Sequence, residues 1–343
     1  MPLGPPPQIP YPLMRGGLPT APHIAAGHGG WLSLADGLIC VIGSANVDLI
    51  MKVPRLPAPG ETVTQGEYSQ VFGGKGANTA VAAARAGGNV EFAACLGDES
   101  FGRAMLDEFN AGGIGTSHCR LIPGRPTGTA LIMVEDSGEN CIAVAPGTNA
   151  DLTAERVREL APLIADADWV LLQMEIPVGS NRAVLQVAQE KDVGVLLNYA
   201  PVGDGELTLS PAVSVLVVNE VEAAALSGRA ISGAEDALDA AKRLVEQGPG
   251  LVVVTLGPEG LVAYDGGQAT VLPAFPVTAV DTTAAGDTFC GALAAAFAEK
   301  RELDEALRFA SAAAAISVTR MGAQPSIPRR VEIETFLAER GSG

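Results

Sequence analysis

From Leu38 onward, short apolar runs alternate with longer segments whose apolar positions recur every three to four residues. The runs at 38–42, 91–96, 169–174, 193–197, 213–218 and 251–255 are apolar throughout, which predicts strands buried on both faces. The segments at 77–86, 104–111, 154–165, 180–191, 220–227 and 234–247 predict helices. Two more follow. Phe289, Leu293 and Phe297 fall at i, i+4 and i+8, and Leu303, Leu307, Ala310 and Ala314 form a second stripe. This alternation predicts an α/β fold, a doubly wound αβα sandwich around a mostly parallel central sheet. The extended, β-branched Val277-Thr278-Ala279-Val280 predicts a last strand ending at Asp281.

Two segments do not fit βαβ units. Residues 47–72 hold Pro54, Pro57, Pro59 and Gly60 amid Val63, Thr64 and Tyr68. Residues 127–145 read as a hairpin, 129–135 and 140–145, joined at Asp136-Ser137-Gly138-Glu139. Together they predict a small separate β-sheet that covers the main site as a lid. Residues 1–37 are rich in Pro and Gly, show no sustained period, and lack the basic start and apolar core of a signal peptide. They predict a disordered tail outside a folded domain at 38–343.

Composition narrows the function. Hydrophobic residues make up 48% of the chain but aromatics only 4%, so the core is built from Ala, Val, Leu and Ile. The net charge is −17, which repels nucleic acid and anionic lipid and argues against either as a partner. No apolar run reaches the roughly 18 residues of a membrane span. Cys40, Cys95, Cys119, Cys141 and Cys290 are odd in number, widely spaced and without a CxxC pair, and there are three His. That disfavours a zinc site or a disulfide framework and points to thiols in a reducing, cytoplasmic setting.

In open parallel sheets, ligands bind beyond the carboxyl ends of the strands. Here those ends carry unusual polar residues: Asn46 and Asp48 after 38–42, Glu175 after 169–174, and Asn219 and Glu222 after 213–218. Thr255, Leu256, Gly257 and Gly260 follow 251–255. Each has a purely structural alternative. Asn219 also suits a helix N-cap, Gly257 and Gly260 a tight turn, Asn46 and Asp48 turn formation, and Glu175 a solvated loop charge. Their gathering on one sheet edge carries more weight than any one of them.

The most informative stretch is Asp281-Thr282-Thr283-Ala284-Ala285-Gly286-Asp287-Thr288-Phe289. Small residues at 284–286 permit a tight turn into a helix, where unpaired N–H groups and the macrodipole favour an anion. A second acid, Asp287, inside that start has little structural purpose, whereas phosphoryl transfer needs a base there. A second motif, Gly73-Gly74-Lys75-Gly76-Ala77-Asn78, also opens an Ala-rich helix. It is not a P-loop, because Gly76 follows Lys75 and no Gly stands five residues before Gly74. Its glycines permit close backbone approach to a polyhydroxylated ligand, and Lys75 and Asn78 can bond hydroxyls or counter phosphate. A flexible glycine turn with a solvated Lys is the structural alternative.

On these two motifs, and on Ala312 through Ser326, the chain resembles the ribokinases of the phosphofructokinase-B superfamily of sugar kinases over about residues 38–340. The resemblance implies the αβα domain with a β-sheet lid that also forms a homodimer interface. It implies that Asn46, Asp48, Gly74, Lys75, Gly76, Asn78 and Glu175 contact the sugar. Asn219, Thr255, Leu256, Gly257, Gly260 and Gly286 line the ATP site, Ala284, Ala285 and Gly286 form an anion hole, and Asp287 is the base. It implies a monovalent cation, usually K⁺, at Asp281, Thr283, Ser317, Arg320, Gly322 and Ser326, with Arg320 serving by its carbonyl alone. Mg²⁺ comes with ATP, and Glu222 is a weaker protein contact for it. Ser311 stands where many ribokinases place a His near the adenine, and the Pro-rich tail has no counterpart.

The implied reaction is ATP plus D-ribose giving D-ribose 5-phosphate and ADP. Rival readings are a kinase of deoxyribose, fructose or adenosine on the same fold, or a non-catalytic sugar- or nucleotide-binding regulator. A Rossmann dehydrogenase is disfavoured because no GxGxxG follows the first strand.

Overall fold

The computed structural model describes residues 37–135, 137, 139–203 and 207–340. Apart from Gly37, the expected tail lies outside the described residues, as do Asp136 and Gly138 of the expected hairpin turn. The strands are β1 (Leu38–Ile42), β2 (Asn46–Val53), β3 (Glu67–Gly73), β4 (Asn89–Ala93), β5 (Cys95–Gly97), β6 (Arg120–Ile122), β7 (Gly128–Glu135), β8 (Asn140–Ala145), β9 (Trp169–Gln173), β10 (Gly194–Asn198), β11 (Val215–Asn219), β12 (Leu251–Thr255), β13 (Leu261–Tyr264) and β14 (Ala269–Leu272). The helices are α1 (Lys75–Arg85), α2 (Ser100–Ala111), α3 (Ala154–Glu159), α4 (Ala161–Asp166), α5 (Val178–Lys191), α6 (Glu220–Ser227), α7 (Ala234–Val245), α8 (Ala285–Ala298), α9 (Leu303–Ser317) and α10 (Arg330–Arg340).

Eight strands form the central sheet in the order β14-β13-β12-β11-β10-β9-β1-β4. The pairs from β4 to β12 are parallel, as expected, and β13 and β14 add an antiparallel edge. Because side chains alternate along a strand, β1 sends Ile39 and Val41 to one face and Cys40 and Ile42 to the other. The first face packs on α1, α8 and α9 through a layer rich in Ala, including Ala77, Ala80, Ala292 and Ala313. The second packs on α3 to α7 through Val157, Ile164, Val184, Ala240 and Leu244. The low aromatic content thus becomes close helix–sheet packing on small side chains.

The four-stranded sheet β3-β2-β7-β8 is the separate small sheet expected from 47–72 and 127–145. Its hairpin β7–β8 is antiparallel, while β2 and β7 pair in parallel over their full length.

Three expectations are corrected. The run 91–96 is not one strand: β4 ends at Ala93, and β5 leaves the main sheet to pair with β6. The helix expected at 154–165 is broken at Leu160, because Pro162 at the start of α4 has no N–H to continue the ladder. Residues 277–280 are not a strand. Pro273 and Pro276 lie just before them, Val280 is exposed, and the N–H groups of Val280 and Asp281 both donate to the Val318 carbonyl. The sheet edge is occupied instead by β13 and β14, which the pattern of apolar runs does not predict.

Candidate active site

The parallel strands deliver Gln173, Asn198, Asn219 and Thr255 to one edge of the sheet, and the chain beyond β1 and β9 adds Ser44 and Glu175. The N-termini of α1 and α8 meet them there. Two close approaches explain the glycines of the motif at 73–78. A Cβ on Gly76 would lie 2.5 Å from the Ser44 nitrogen, and Gly74 has φ 89° with the Asn46 nitrogen 2.7 Å from where a Cβ would be.

Glu175 is not a solvated loop charge. Its Oε2 accepts from the Ser44 hydroxyl at 2.6 Å and from the Lys75 N–H at 2.9 Å. A carboxylate thus caps the start of α1, where the macrodipole favours it. Ser44 Oγ in turn accepts from the Gly76 N–H at 3.2 Å. The loop after β1, the loop after β9 and the glycine motif are therefore one hydrogen-bonded unit.

Asp287 sits in the first turn of α8, 3% exposed. The Asn78 side-chain amide donates to its Oδ2 at 2.9 Å and the Asn198 amide to its Oδ1 at 3.1 Å. Burial raises its pKa, opposed by the Lys75 charge and both amides and reinforced by the Glu175 charge. Lys75 responds reciprocally: the Asp287 charge raises its pKa despite burial, with help from Glu175 and Glu222. Asp48, in register with Val71 on β3 and with its carboxylate against Gly73, is pushed up to about 7 by burial and then by Glu175 and Asp287. The site is a partly dehydrated acidic cluster around one ammonium.

The turn before Asp287 is tight. Ala284 caps α8 in the left-handed region at φ 60°. The Ala285 N–H is turned onto the Thr282 carbonyl at 3.2 Å, so it is not among the free donors expected there. The N–H groups of Gly286 and Asp287 have no partner among the described residues, and the space around the Gly286 Cα is open. The unpartnered donors within the first turn of α8 are thus the N–H groups of Gly286 and Asp287.

On the other side of the cluster, Asn219 and Glu222 form a capping box. The Asn219 N–H donates to Glu222 Oε2 at 2.8 Å, and Asn219 Oδ1 accepts from the Glu222 N–H at 2.9 Å. The structural alternative for Asn219 is therefore met. Glu222 is buried, and its pKa is raised by burial despite these bonds. Asn219 pairs in register with Thr255, whose hydroxyl reaches the Val218 carbonyl at 3.4 Å. Leu256 is buried, a one-turn 3₁₀ helix (Gly257–Glu259) follows, and a Cβ on Gly260 would strike the Leu272 carbonyl. Ser311 lies half-buried within α9.

Of the six residues expected around a cation, hydrogen bonds join three. Asp281 Oδ1 accepts from the Thr283 N–H at 2.9 Å and hydroxyl at 2.6 Å, and Oδ2 accepts from the Gly322 N–H at 2.8 Å. The buried Ser317 and Ser326 hydroxyls donate to the nearby carbonyls of Ala314 and Ala323. The Arg320 guanidinium is drawn to Glu332. Carbonyl, hydroxyl and carboxylate oxygens are the donor chemistry a hard cation takes, so the set fits such an ion.

Sequence reasoning missed three polar residues here. Asn149 donates from Nδ2 to Asn46 Oδ1 at 2.7 Å, and its own Oδ1 accepts from the Ala45 N–H at 2.9 Å. Nothing local marks it. Ser44 lies in the run after the first strand, with nothing in its neighbours to set it apart. Asn198 does carry a signal: it follows an apolar strand as Asn219 does.

The profile of the pfkB family carbohydrate kinases matches residues 36–330. The ribokinase of Haemophilus influenzae is 41% identical over 299 residues, covering 87% of this chain and 98% of the relative. A crystal structure of ribokinase from Thermotoga maritima superposes with a TM-score of 0.80 at 36% identity, covering 88% of this chain and 99% of that one. The ribokinase of Arabidopsis thaliana complexed with ribose and ATP gives the same TM-score at 31% identity, covering 88% and 99%.

Proposed function

The chain belongs to the pfkB family of carbohydrate kinases, and from that premise we propose that it transfers the γ-phosphoryl group of ATP to O5 of D-ribose, giving D-ribose 5-phosphate and ADP. The observation that carries this reading is the buried Asp287 carboxylate, fixed by two amides beside the two unpartnered N–H groups that open α8.

Asp287 takes the proton of the primary hydroxyl as that oxygen bonds to the γ-phosphorus and the bond to the β,γ-bridging oxygen breaks. A carboxylate is a far weaker base than an alkoxide, so the proton moves late, once the new P–O bond is forming. A loose transition state needs placement and charge neutralisation more than covalent help. The N–H groups of Gly286 and Asp287 and the Lys75 ammonium supply that. Asn46, Asp48, Gly74, Lys75, Gly76, Asn78 and Glu175 form the sugar side. Glu175 acts through α1, whose start it caps. Asn219, Thr255, Leu256, Gly257, Gly260 and Ser311 form the nucleotide side.

Mg²⁺ bound with ATP would neutralise phosphate charge, and Glu222, whose Oε2 accepts from the Asn219 N–H, would be a weaker protein contact for it. K⁺ would be held by Asp281, Thr283, Ser317, Arg320, Gly322 and Ser326 through oxygens. The small sheet serves as a lid that excludes water from the reacting phosphate. Its Leu131, Ile142 and Val144, each more than half exposed, support a homodimer formed through it. Among the described residues no helix is long and apolar enough to cross a membrane. A kinase domain at 38–343 acting in the cytoplasm completes the reading.

The test is an ADP-coupled assay with ribose, 2-deoxyribose, fructose and adenosine, each in KCl and in NaCl. Ribose is expected to give the highest kcat/KM, with K⁺ stimulating over Na⁺. A preference for another acceptor overturns the substrate assignment, and equal rates in the two salts overturn the cation assignment.

A further inference from the structure

Asp287 is buried, and ionising an acid there is opposed by burial and by the charge of Glu175. Among its described neighbours, Lys75 is the one cation; Asp48, Glu175 and Glu222 are acids; and Cys290, one turn along α8, is a buried thiol whose own pKa is raised well above normal. Besides Lys75, two side-chain amides, of Asn78 and Asn198, favour the charged form of the carboxylate. Asn78 belongs to the glycine motif already described. Asn198 belongs to no motif, is 6% exposed, and closes β10 in mid-sheet, in register with Gln173 on β9 and Val217 on β11. A rigid strand end therefore carries its amide.

We propose that Asn198 is a positioning residue for the phosphoryl transfer, clamping Oδ1 of Asp287 so that the base stays ionised and its remaining lone pairs face the acceptor hydroxyl. This rests on the reading of Asp287 as the base. The chemistry of the pair is specific. An ionised carboxylate accepts and cannot donate, and each of its oxygens receives one amide N–H, from Asn78 on one side and Asn198 on the other. Bonds of this kind to a charged acceptor are stronger than neutral ones, and they favour the charged form. Fixing both oxygens also fixes the plane of the carboxylate, which is what separates a base in place from one that swings.

The test is the pH dependence of kcat at saturating ribose and ATP for Asn198→Ala and the isosteric Asn198→Asp. The base works deprotonated, so kcat rises with pH through its pKa, and removing a donor to the charged form moves that rise upward. Asn198→Ala is expected to move the acid limb up by about one pH unit, the worth of one such bond. On the acid limb, below the pKa, its kcat then falls about tenfold relative to the parent and recovers on the plateau at higher pH, while KM for ribose stays within about threefold. Asn198→Asp places a second carboxylate on Asp287 and is expected to move the limb further, with a loss of about 100-fold relative to the parent on that limb. It retains the shape of the native side chain, so it tests the idea even where the Ala variant fails to fold. An acid limb that stays in place in the folded variants, with only a lowered Tm, overturns the proposal. The control is Asp287→Asn. If that variant turns over normally, the base assignment fails, an outcome distinct from an unmoved limb in the Asn198 variants.

Discussion

Asp281 and Asp287 stand at the two ends of one seven-residue turn and differ in everything but their side chain. Asp281 is half-buried, and three donors, two from Thr283 and one from Gly322, converge on it. Burial pushes its pKa up, but those bonds outweigh burial and the net shift is downward. Asp287 also accepts two side-chain bonds and has a cation nearby, yet full burial wins and its pKa is raised. The contrast shows that a count of hydrogen bonds does not decide the state of an acid; solvent access decides how much those bonds must offset. Asp281 straps the turn to the 318–322 loop. Asp287 is held where an acid is costly, which is the condition expected of a chemical group and not of a strut.

The largest expected effect breaks the comparison at its chemical end. Asp287→Asn keeps the fold and ribose binding but lowers kcat by ~10²-fold or more, the usual worth of a positioned base. Steady-state kinetics together with ribose titration calorimetry check this, and near-normal turnover would remove Asp287 from its role. Next comes Asp48, whose burial makes it resemble Asp287. Its folded pKa of about 7 lies above the unfolded value of 3.8, so the stability it contributes is present below pH 4 and lost as pH rises through 7. Asp48→Asn is therefore expected to be more stable than the parent at pH 8, by on the order of 2–4 kcal/mol, and of similar stability near pH 4. It loses ribose affinity at the same time. Melting curves at the two pH values check the sign.

A smaller effect is expected at the other end of the turn. Asp281 has a depressed pKa, so its contribution is present above the unfolded value and lost as pH falls through the folded one. Asp281→Asn is expected to cost about 1 kcal/mol at pH 7, because the group is partly screened by solvent, and to abolish any rise in Tm produced by KCl over NaCl. A Tm response to K⁺ that survives the substitution would place the cation elsewhere. The smallest effect belongs to the hinge between the two acids. Ala284 occupies φ 60°, where glycine is at ease and alanine is not. Ala284→Gly is expected to leave stability unchanged or raised by no more than about 1 kcal/mol. A large loss would show that the alanine methyl is part of the packing.

Much of the frame is legible in the sequence. The parallel strands, the helix stripes through Phe289 and Leu307, the separate small sheet and the two glycine-bearing helix starts all follow from local pattern. The misses have local causes. Val277 to Val280 have strand propensity, but the prolines just before them and the bonds to Val318 divert the segment from the sheet. The run 91–96 is apolar enough for one strand, and only the pairing of β5 with β6 splits it. For Glu175 the sequence leaves a solvated loop charge open beside a site role, because the helix start it caps lies 100 residues away. Asn149 has no signal at all, since its work is done on Ala45 and Asn46 across more than 100 residues.

By itself, the sequence determined the alternation of strands and helices, the small-residue turn into α8 and the presence of an acid within it, because periodicity and turn chemistry act between residues a few positions apart. Tertiary structure alone decided that this acid would be buried, raised in pKa and gripped by Asn78 and Asn198 from 209 and 89 residues away. Dehydration and long-range hydrogen bonding are properties of a packed interior, and no local pattern encodes them.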